Sequence, residues 1–347
     1  MKKIILTIDY ELFLGSVTGD VNSCMVEPTR KLDTLLSTNG SKMTIFWDIL
    51  HYYKLMEYQN LFPKLKNDVQ IIEKHILFLA REGHDIQLHL HPHWLDAVYK
   101  DGKWNFNYMR YKLQNLSESD NQNDINTIIG CLNISKNILE NLIKTVNPEY
   151  RVTTLRTGGY LIEPFSKLRE ALMKLNILVD TSICPDLINE NEIFSYNFLK
   201  YPKLNSYKFS DEPKNINEKG RFIEVPIKTV VIPIHLYLCY TFLRHTKYKN
   251  LKKELKGSGA GSTTQHKKNI YMKFLELLFK RKVSQFTTDG NFKEIIYYMI
   301  NHVDENSTMI LHPKLLNEHT ISLITALTQT NKVKFISLKN YLDSEYN

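Results

Sequence analysis

Five short stretches gather the residue types that acid–base and metal chemistry require. TIDYE (7–11) carries Asp9 and Glu11, GHDIQLHLHPHW (83–94) carries His84, His89, His91 and His93, RTGGY (156–160) carries Arg156, VDTS (179–182) carries Asp180, and ILHPK (310–314) carries His312. Neutral imidazoles beside a carboxylate, with one position left for water, are what a zinc-like divalent ion asks of a protein. The cluster admits two ligand spacings. His89 and His91 share one face if the strand runs on, whereas His89 and His93 bracket one turn if the chain leaves the strand at His89. Pro92 disfavours an extended ladder and suits the start of a turn or helix, so His89 with His93 is the expected pair. A lone histidine such as His51, His75 or His266 reads as an ordinary core or surface residue.

The elements that must position these residues alternate in type. KIILTID (3–9) reads as a buried strand, EPTRKLDTLLSTNG (27–40) as a helix stopped by Asn-Gly, and KMTIFWD (42–48) as a second strand. NDVQIIEKHILFLAREG (67–83) is an amphipathic helix closed by Gly83, and HDIQLHL (84–90) a third strand. A polar hairpin around KDGKW (100–104) and a helical tract near 121–146 intervene. Strand VTTLRT (152–157), helix EPFSKLREALMKLN (163–176) and strand ILVDTS (177–182) then resume the pattern. The last third gives helix 292–303, strand 307–312, helix 317–329 and strand 332–338. Such alternation with short links predicts an α/β fold with a parallel sheet, either a barrel or an open doubly wound form. In both, function collects at the carboxyl ends of strands, where all five stretches fall. One shared pocket is expected.

Composition bounds the alternatives. A chain of 347 residues, 43% hydrophobic, buries a large core and is not globally disordered. The excess of 45 Lys+Arg over 37 Asp+Glu gives +8, but the basic residues are scattered, which argues against a general nucleic-acid binder. Two basic clusters, 244–256 and 279–283, read as solvated helix faces, with contact to anionic lipid or a phosphorylated substrate left open. The N-terminus lacks the apolar run of a signal peptide, so a cytoplasmic location is expected. The longest apolar run, VVIPIHLYLCYTFL (230–243), is too short to span a bilayer and reads as a buried strand and helix start. Cys24, Cys131, Cys184 and Cys239 show no C-x-x-C spacing and are expected to be free thiols. The Gly/Ser-rich stretch 256–269 suits a surface loop or lid better than a domain linker.

The order of motifs carries a resemblance. Thr-Ile-Asp near the N-terminus, Gly-His-Asp-Ile followed by His-x-x-x-His, an arginine-centred turn, and a strand ending in Leu-His resemble the NodB-homology polysaccharide deacetylases, carbohydrate esterase family 4. The likeness covers about residues 3–95, 150–185 and 305–345. It implies one distorted (β/α) barrel domain over 1–347, with insertions near 96–150 and 185–300. It also implies metal-dependent removal of an acyl group, usually acetyl, from a sugar amine or hydroxyl. On that pattern Asp9 is the general base, His89 and His93 hold the metal, and Arg156 pairs with the base and keeps it ionised. His312 protonates the leaving amine, Asp180 orients it, and backbone N–H groups near Gly159 and Tyr160 help to stabilise the oxyanion.

The departures from that pattern are specific. The family's T-F-D-D-G has Tyr10 in place of its second aspartate, so either Glu11 reaches back as the substitute acidic ligand, the expected case, or the metal is held differently, with Asp9 open as the acidic ligand. RTGGY lacks the proline usual after the arginine, and His91 has no family role and is open as a ligand or substrate contact. Trp94 is open as a sugar-stacking residue or core filler, and Asp48 as pocket lining or a helix N-cap. The expected protein is thus a hydrolase using a divalent metal, zinc above others. Its expected substrate is an acylated amino sugar, or a lipid- or nucleotide-linked glycan intermediate of surface polysaccharide metabolism. A non-sugar amide substrate, or a non-catalytic carbohydrate-binding barrel, are the alternatives.

Overall fold

The structure is a computed structural model that describes residues 1–191, 193–246, 256–259, 282–330 and 332–346. His266, and most of the basic clusters and of the Gly/Ser-rich stretch, lie outside those residues. Nine strands form the main sheet: β1 (Lys2–Tyr10), β2 (Thr44–Asp48), β3 (Asp85–Leu90), β4 (Thr154–Thr157), β5 (Val179–Asp180), β6 (Tyr207–Phe209), β7 (Phe222–Glu224), β8 (Ser307–Leu311) and β9 (Val333–Ile336). Their spatial order is β6-β7-β5-β4-β3-β2-β1-β8, with β9 pairing the first half of β1. All pairs are parallel except β6 with β7.

The sheet curls back on itself. Ile227, just past β7, takes a hydrogen bond partner in Ile183 and bridges Thr308 of β8, and Thr287 bridges Ile310. The fold is therefore α/β, a distorted barrel with insertions. Among the described residues the helices that flank the main sheet are α1 (Glu27–Ser37), α2 (Ile49–Tyr58), α3 (Pro63–Arg81), α4 (Ile128–Lys144), α5 (Ser166–Lys174), α6 (Lys293–His302), α7 (Glu318–Gln329) and α8 (Leu338–Tyr346). Two of them, α2 and α8, are absent from the sequence expectation. The α2 segment ILHYYKLMEY follows its strand without a break in apolar character and has no side-chain cap, so neither period nor boundary marks it.

Strand alternation sorts the chemistry. Successive side chains of a strand face opposite sides. On β1, Ile4, Leu6, Ile8 and Tyr10 join the large outer core, and the Tyr10 hydroxyl meets His75 Nδ1 of α3 at 2.8 Å. Ile5, Thr7, Asp9 and Glu11 take the other side, the barrel interior. There, Ile5, Phe46, Val179 and Val225 pack with Leu338 and Tyr341 as an apolar floor supplied in part by α8. Above it lies a polar layer of Thr7, Arg156 and Thr181, and then the carboxylates and histidines at the strand ends.

The run 230–243 bears out the buried strand, with Val230 and Ile232 in the core, and corrects the expectation of burial for the helix that follows. It forms a strand, Thr229–Ile232, and a helix, Ile234–His245, separated by Pro233. Among the described residues the strand pairs with Lys282–Gln285 in a two-stranded ribbon outside the main sheet, and the helix leaves Leu238 and Phe242 44% and 68% exposed. The cysteines are free, and only Cys239 of them is exposed. No described helix is long and apolar enough to cross a membrane.

Buried histidines of the outer core make the fold acid-sensitive. His51 on α2 is fully buried, with neither ring nitrogen hydrogen-bonded among the described residues, and burial pushes its pKa down to about 4. The unfolded chain takes up that proton near pH 6.5, so stability is lost as pH falls from there toward the folded value. Between pH 7 and pH 5 this single group removes about 1–2 kcal/mol. His51→Leu is expected to lose less stability than the wild type over that interval in urea titrations, and equal losses would refute the assignment.

Candidate active site

The interior-facing side chains converge at the top of the barrel. β3 ends at Leu90, but His91 still has extended backbone, φ −117° and ψ 89°, before Pro92 opens a short 3-10 turn, Pro92–Asp96. His91 therefore keeps the parity of His89 and faces the interior. Among the described residues, Glu11, His89 and His91 each offer a ligand atom, all within 4.8 Å of one another. Glu11 Oε2 lies 3.4 Å from His89 Nε2 and 3.3 Å from His91 Nδ1. Gly158 makes room for this arrangement, since a Cβ there would sit 2.3 Å from His91 Cδ2. That close approach, rather than adaptability, accounts for a glycine directly after the Arg156-Thr157 pair.

The donor set fits a divalent ion. Glu11 Oε2 and His91 Nδ1 are buried and have no hydrogen-bond partner among the described residues. His89 Nδ1 donates to the Arg156 carbonyl at 2.9 Å, which leaves Nε2 to carry the free lone pair toward Glu11. Burial alone would lower the His89 pKa, yet the Asp9, Glu11 and Asp48 carboxylates raise it to about 9. An anionic field that favours a proton so strongly favours a metal cation in the same place. Two imidazoles and a carboxylate form the ligand number and type of open zinc sites.

Asp9 sits against this set. Arg156, wholly buried, donates from Nη1 to Asp9 Oδ1 at 2.6 Å, from Nη2 to Thr7 Oγ1 at 3.0 Å and Thr181 Oγ1 at 3.1 Å, and from Nε to the Thr181 carbonyl at 3.1 Å. The guanidinium also lies 4.1 Å from the centre of the Phe46 ring. Burial would raise the Asp9 carboxyl, but Arg156, His89 and His312 outweigh it and hold it below the ordinary range. Oδ1 is committed to arginine, while Oδ2 faces His89 Nε2 at 3.8 Å and His312 Nε2 at 3.5 Å.

His312 reaches the same point from β8. Its Nε2 lies 3.5 Å from Asp9 Oδ2 and 3.6 Å from Glu11 Oε1, and its Nδ1 donates to Asp289 Oδ2 at 2.6 Å. The His312 backbone N–H also points at the Asp289 carboxylate. Desolvation would lower the His312 pKa; the Asp289 hydrogen bond and charge, with Asp9 and Glu11, raise it instead. Sequence reasoning missed Asp289, which is brought here by the bridge from Thr287 to Ile310, a contact with no periodic signature.

Other expected residues fall elsewhere. His93 is turned out of the ligand group by the 3-10 helix. It stacks on Tyr111 with ring centres 4.9 Å apart, packs near Phe106 and Tyr108, and burial lowers its pKa to about 3. Trp94 is fully buried and donates from Nε1 to Asp48 Oδ2 at 2.8 Å, so it is core and presents no stacking face to a sugar. Asp48 occupies the N-cap position of α2 without capping it and instead faces His91 Nδ1 at 3.3 Å. Asp180, one residue out of phase with Val179 and Thr181, accepts hydrogen bonds from Ser182 and lies near the buried Glu224, while Asp289 takes the place beside His312 that Asp180 was expected to fill. Gly159 and Tyr160 both take left-handed backbone, φ 62° and 65°, in the turn after Arg156, and Tyr160 is half-buried near Asp9. The 96–150 insertion supplies Tyr111 over the histidines and Tyr108, whose hydroxyl donates to the Leu14 carbonyl at 2.8 Å.

Comparisons with known proteins give remote likenesses of form. No protein-family model matches the chain, and no curated protein matches it in sequence. A structure from Mycobacterium smegmatis described as a presumed polysaccharide deacetylase is similar at 11% identity, covering 99% of this chain and 89% of that one, with a TM-score of 0.45. Peptidoglycan deacetylase PdaC from Bacillus subtilis is similar at 11% identity, covering 99% and 90%, TM-score 0.38. Puue allantoinase is similar at 12%, covering 99% and 91%, TM-score 0.44.

The Arg156–Asp9 pair predicts a non-additive stability cycle. Arg156→Met leaves a buried carboxylate without its counter-charge and is expected to cost about 3–5 kcal/mol. Asp9→Asn strands the arginine at a similar order of cost. The double variant is expected to be more stable than the sum of the two losses by over 1 kcal/mol in urea unfolding. Additive losses would show that the pair is not coupled.

Proposed function

We propose that this chain is a divalent-metal-dependent hydrolase that removes an acyl group, N-acetyl above others, from an amino sugar or a glycan intermediate of surface polysaccharide metabolism. The observation that carries the reading is one buried cluster holding three groups: a carboxylate clamped by arginine, a Glu-His-His donor set in which Glu11 Oε2 and His91 Nδ1 have no hydrogen-bond partner among the described residues, and a histidine braced by its own aspartate. Zinc suits two nitrogen donors and one carboxylate oxygen. Glu11, His89 and His91 would hold the ion, which when bound polarises the acyl carbonyl and lowers the pKa of the attacking water.

The remaining steps belong to the chain's own residues. Asp9 Oδ2, free of Arg156, takes the proton of the attacking water. Arg156 keeps that carboxylate ionised and still. His312 Nε2, 3.5 Å from Asp9 Oδ2, delivers a proton to the departing amine nitrogen, while Asp289 fixes its other ring nitrogen as the donor to itself. Base and acid therefore act on two adjacent sites of one tetrahedral centre. Tyr160 and Gly159, on the turn beside Asp9, are the substrate-facing residues, and Tyr111 shields the histidines from water.

Acetate release from N-acetylated amino sugars is the test, comparing nucleotide-linked, lipid-linked and free oligosaccharide forms. Asp9→Asn is expected to lower kcat by about 10²–10⁴. Because His312 must be protonated to act as an acid and Asp289 raises its pKa, activity falls as pH rises through that pKa. Asp289→Asn is expected to move that alkaline limb to lower pH. No acetate release from any of the three forms, with zinc present, would refute the reading, and an unmoved alkaline limb would remove His312 from the acid role.

A further inference from the structure

We propose that Lys314 is the positioning residue of the metal site, acting through Glu11: it anchors one carboxylate oxygen so that the other is presented to the ion. The inference rests on the metal reading above. Lys314 Nζ donates to Glu11 Oε1 at 2.8 Å and to the Leu12 carbonyl at 2.8 Å. Its side chain is 9% exposed, and the ammonium lies 5.2 Å from the centre of the Phe13 ring. The Glu11 carboxylate is thereby divided. Oε1 belongs to lysine, while Oε2 has no hydrogen-bond partner among the described residues and faces His89 Nε2 and His91 Nδ1 at 3.4 and 3.3 Å.

A glutamate needs such an anchor where an aspartate would not. Its extra methylene adds a rotatable bond whose freedom must be removed before the oxygen can serve as a fixed ligand. Strand parity excludes Tyr10 from the interior, so the acidic ligand must come from Glu11, one residue past the end of β1. Lys314 supplies the missing constraint from the 3-10 turn Pro313–Leu315, which also follows His312, so one turn holds both the acid and the anchor of the ligand. A buried ammonium is costly unless paired, and here its partners are a carboxylate and a carbonyl, which fixes its position as well as its charge.

The test is zinc affinity of metal-free protein, measured by competition with a chromophoric chelator, for wild type, Lys314→Met, Lys314→Arg and Glu11→Gln, alone and combined with Lys314→Met. Outer-shell partners of metal ligands typically matter by 10–100-fold. Lys314→Met is expected to weaken zinc binding by about that factor, Lys314→Arg to recover most of it, and Lys314→Met to add no further loss in the Glu11→Gln background. Lys314→Gln, which can still donate to the Leu12 carbonyl, serves if the methionine variant does not fold. Equal zinc affinity in wild type and Lys314→Met would overturn the inference, as would tighter binding in the variant, which would make the lysine a competitor of the metal. A wild type that binds no zinc would overturn the metal reading itself, and this inference with it.

Discussion

A guanidinium with no access to water is held inside the barrel by two threonines, a backbone carbonyl and Asp9, over the face of Phe46. Such a charge is tolerable only if each guanidinium nitrogen is engaged and one partner is ionised. That requirement fixes the rest. Asp9 must stay charged and still, its second oxygen is left facing His89 and His312, and the carbonyl of Arg156 orients His89 by accepting a hydrogen bond from its Nδ1. The floor of Ile5, Phe46, Val179 and Val225 beneath keeps water from relieving the arginine from below.

Above this layer four carboxylates gather among buried side chains. Asp9, Glu11, Asp48 and Asp289 approach one another with Arg156, Lys314 and the histidines between them, and the field raises His89 and His312 while lowering Asp9, Glu11 and Asp48. A divalent cation would relieve the same imbalance, and the unpartnered oxygen of Glu11 marks where. On the proposed reading the carboxylates divide by their partners: Arg156 beside Asp9 suits it to act as a base, Lys314 and the histidines beside Glu11 suit it to be a ligand, and Asp289 braces His312.

The alternation of strands and helices was legible because buried parallel strands and amphipathic helices differ in period, and the strand-end position of Asp9, Glu11, His89, Arg156 and His312 followed from it. What was not legible traces to side-chain direction. Pro92 was read as ending the strand early, but it starts its turn one residue after His91, so His91 keeps strand parity and His93 does not. Asp180 lies in a strand buried on both faces, where sequence gives no hint of which residue points inward. Asp289 and Lys314 reach the site through a long-range bridge and a short turn, neither of which has a periodic signal. Helix α2 was missed because it continues the apolar character of its strand.

The measurement that bears most directly on this account is metal content by elemental analysis of untagged protein after incubation with zinc, for wild type, His91→Ala and His93→Ala. Parity places His91 in the ligand set and His93 against Tyr111. The account predicts about one zinc per chain in wild type and in His93→Ala, and loss of it in His91→Ala. Zinc retained in His91→Ala but lost in His93→Ala would contradict the ligand set, and no zinc in the wild type would contradict the metal centre.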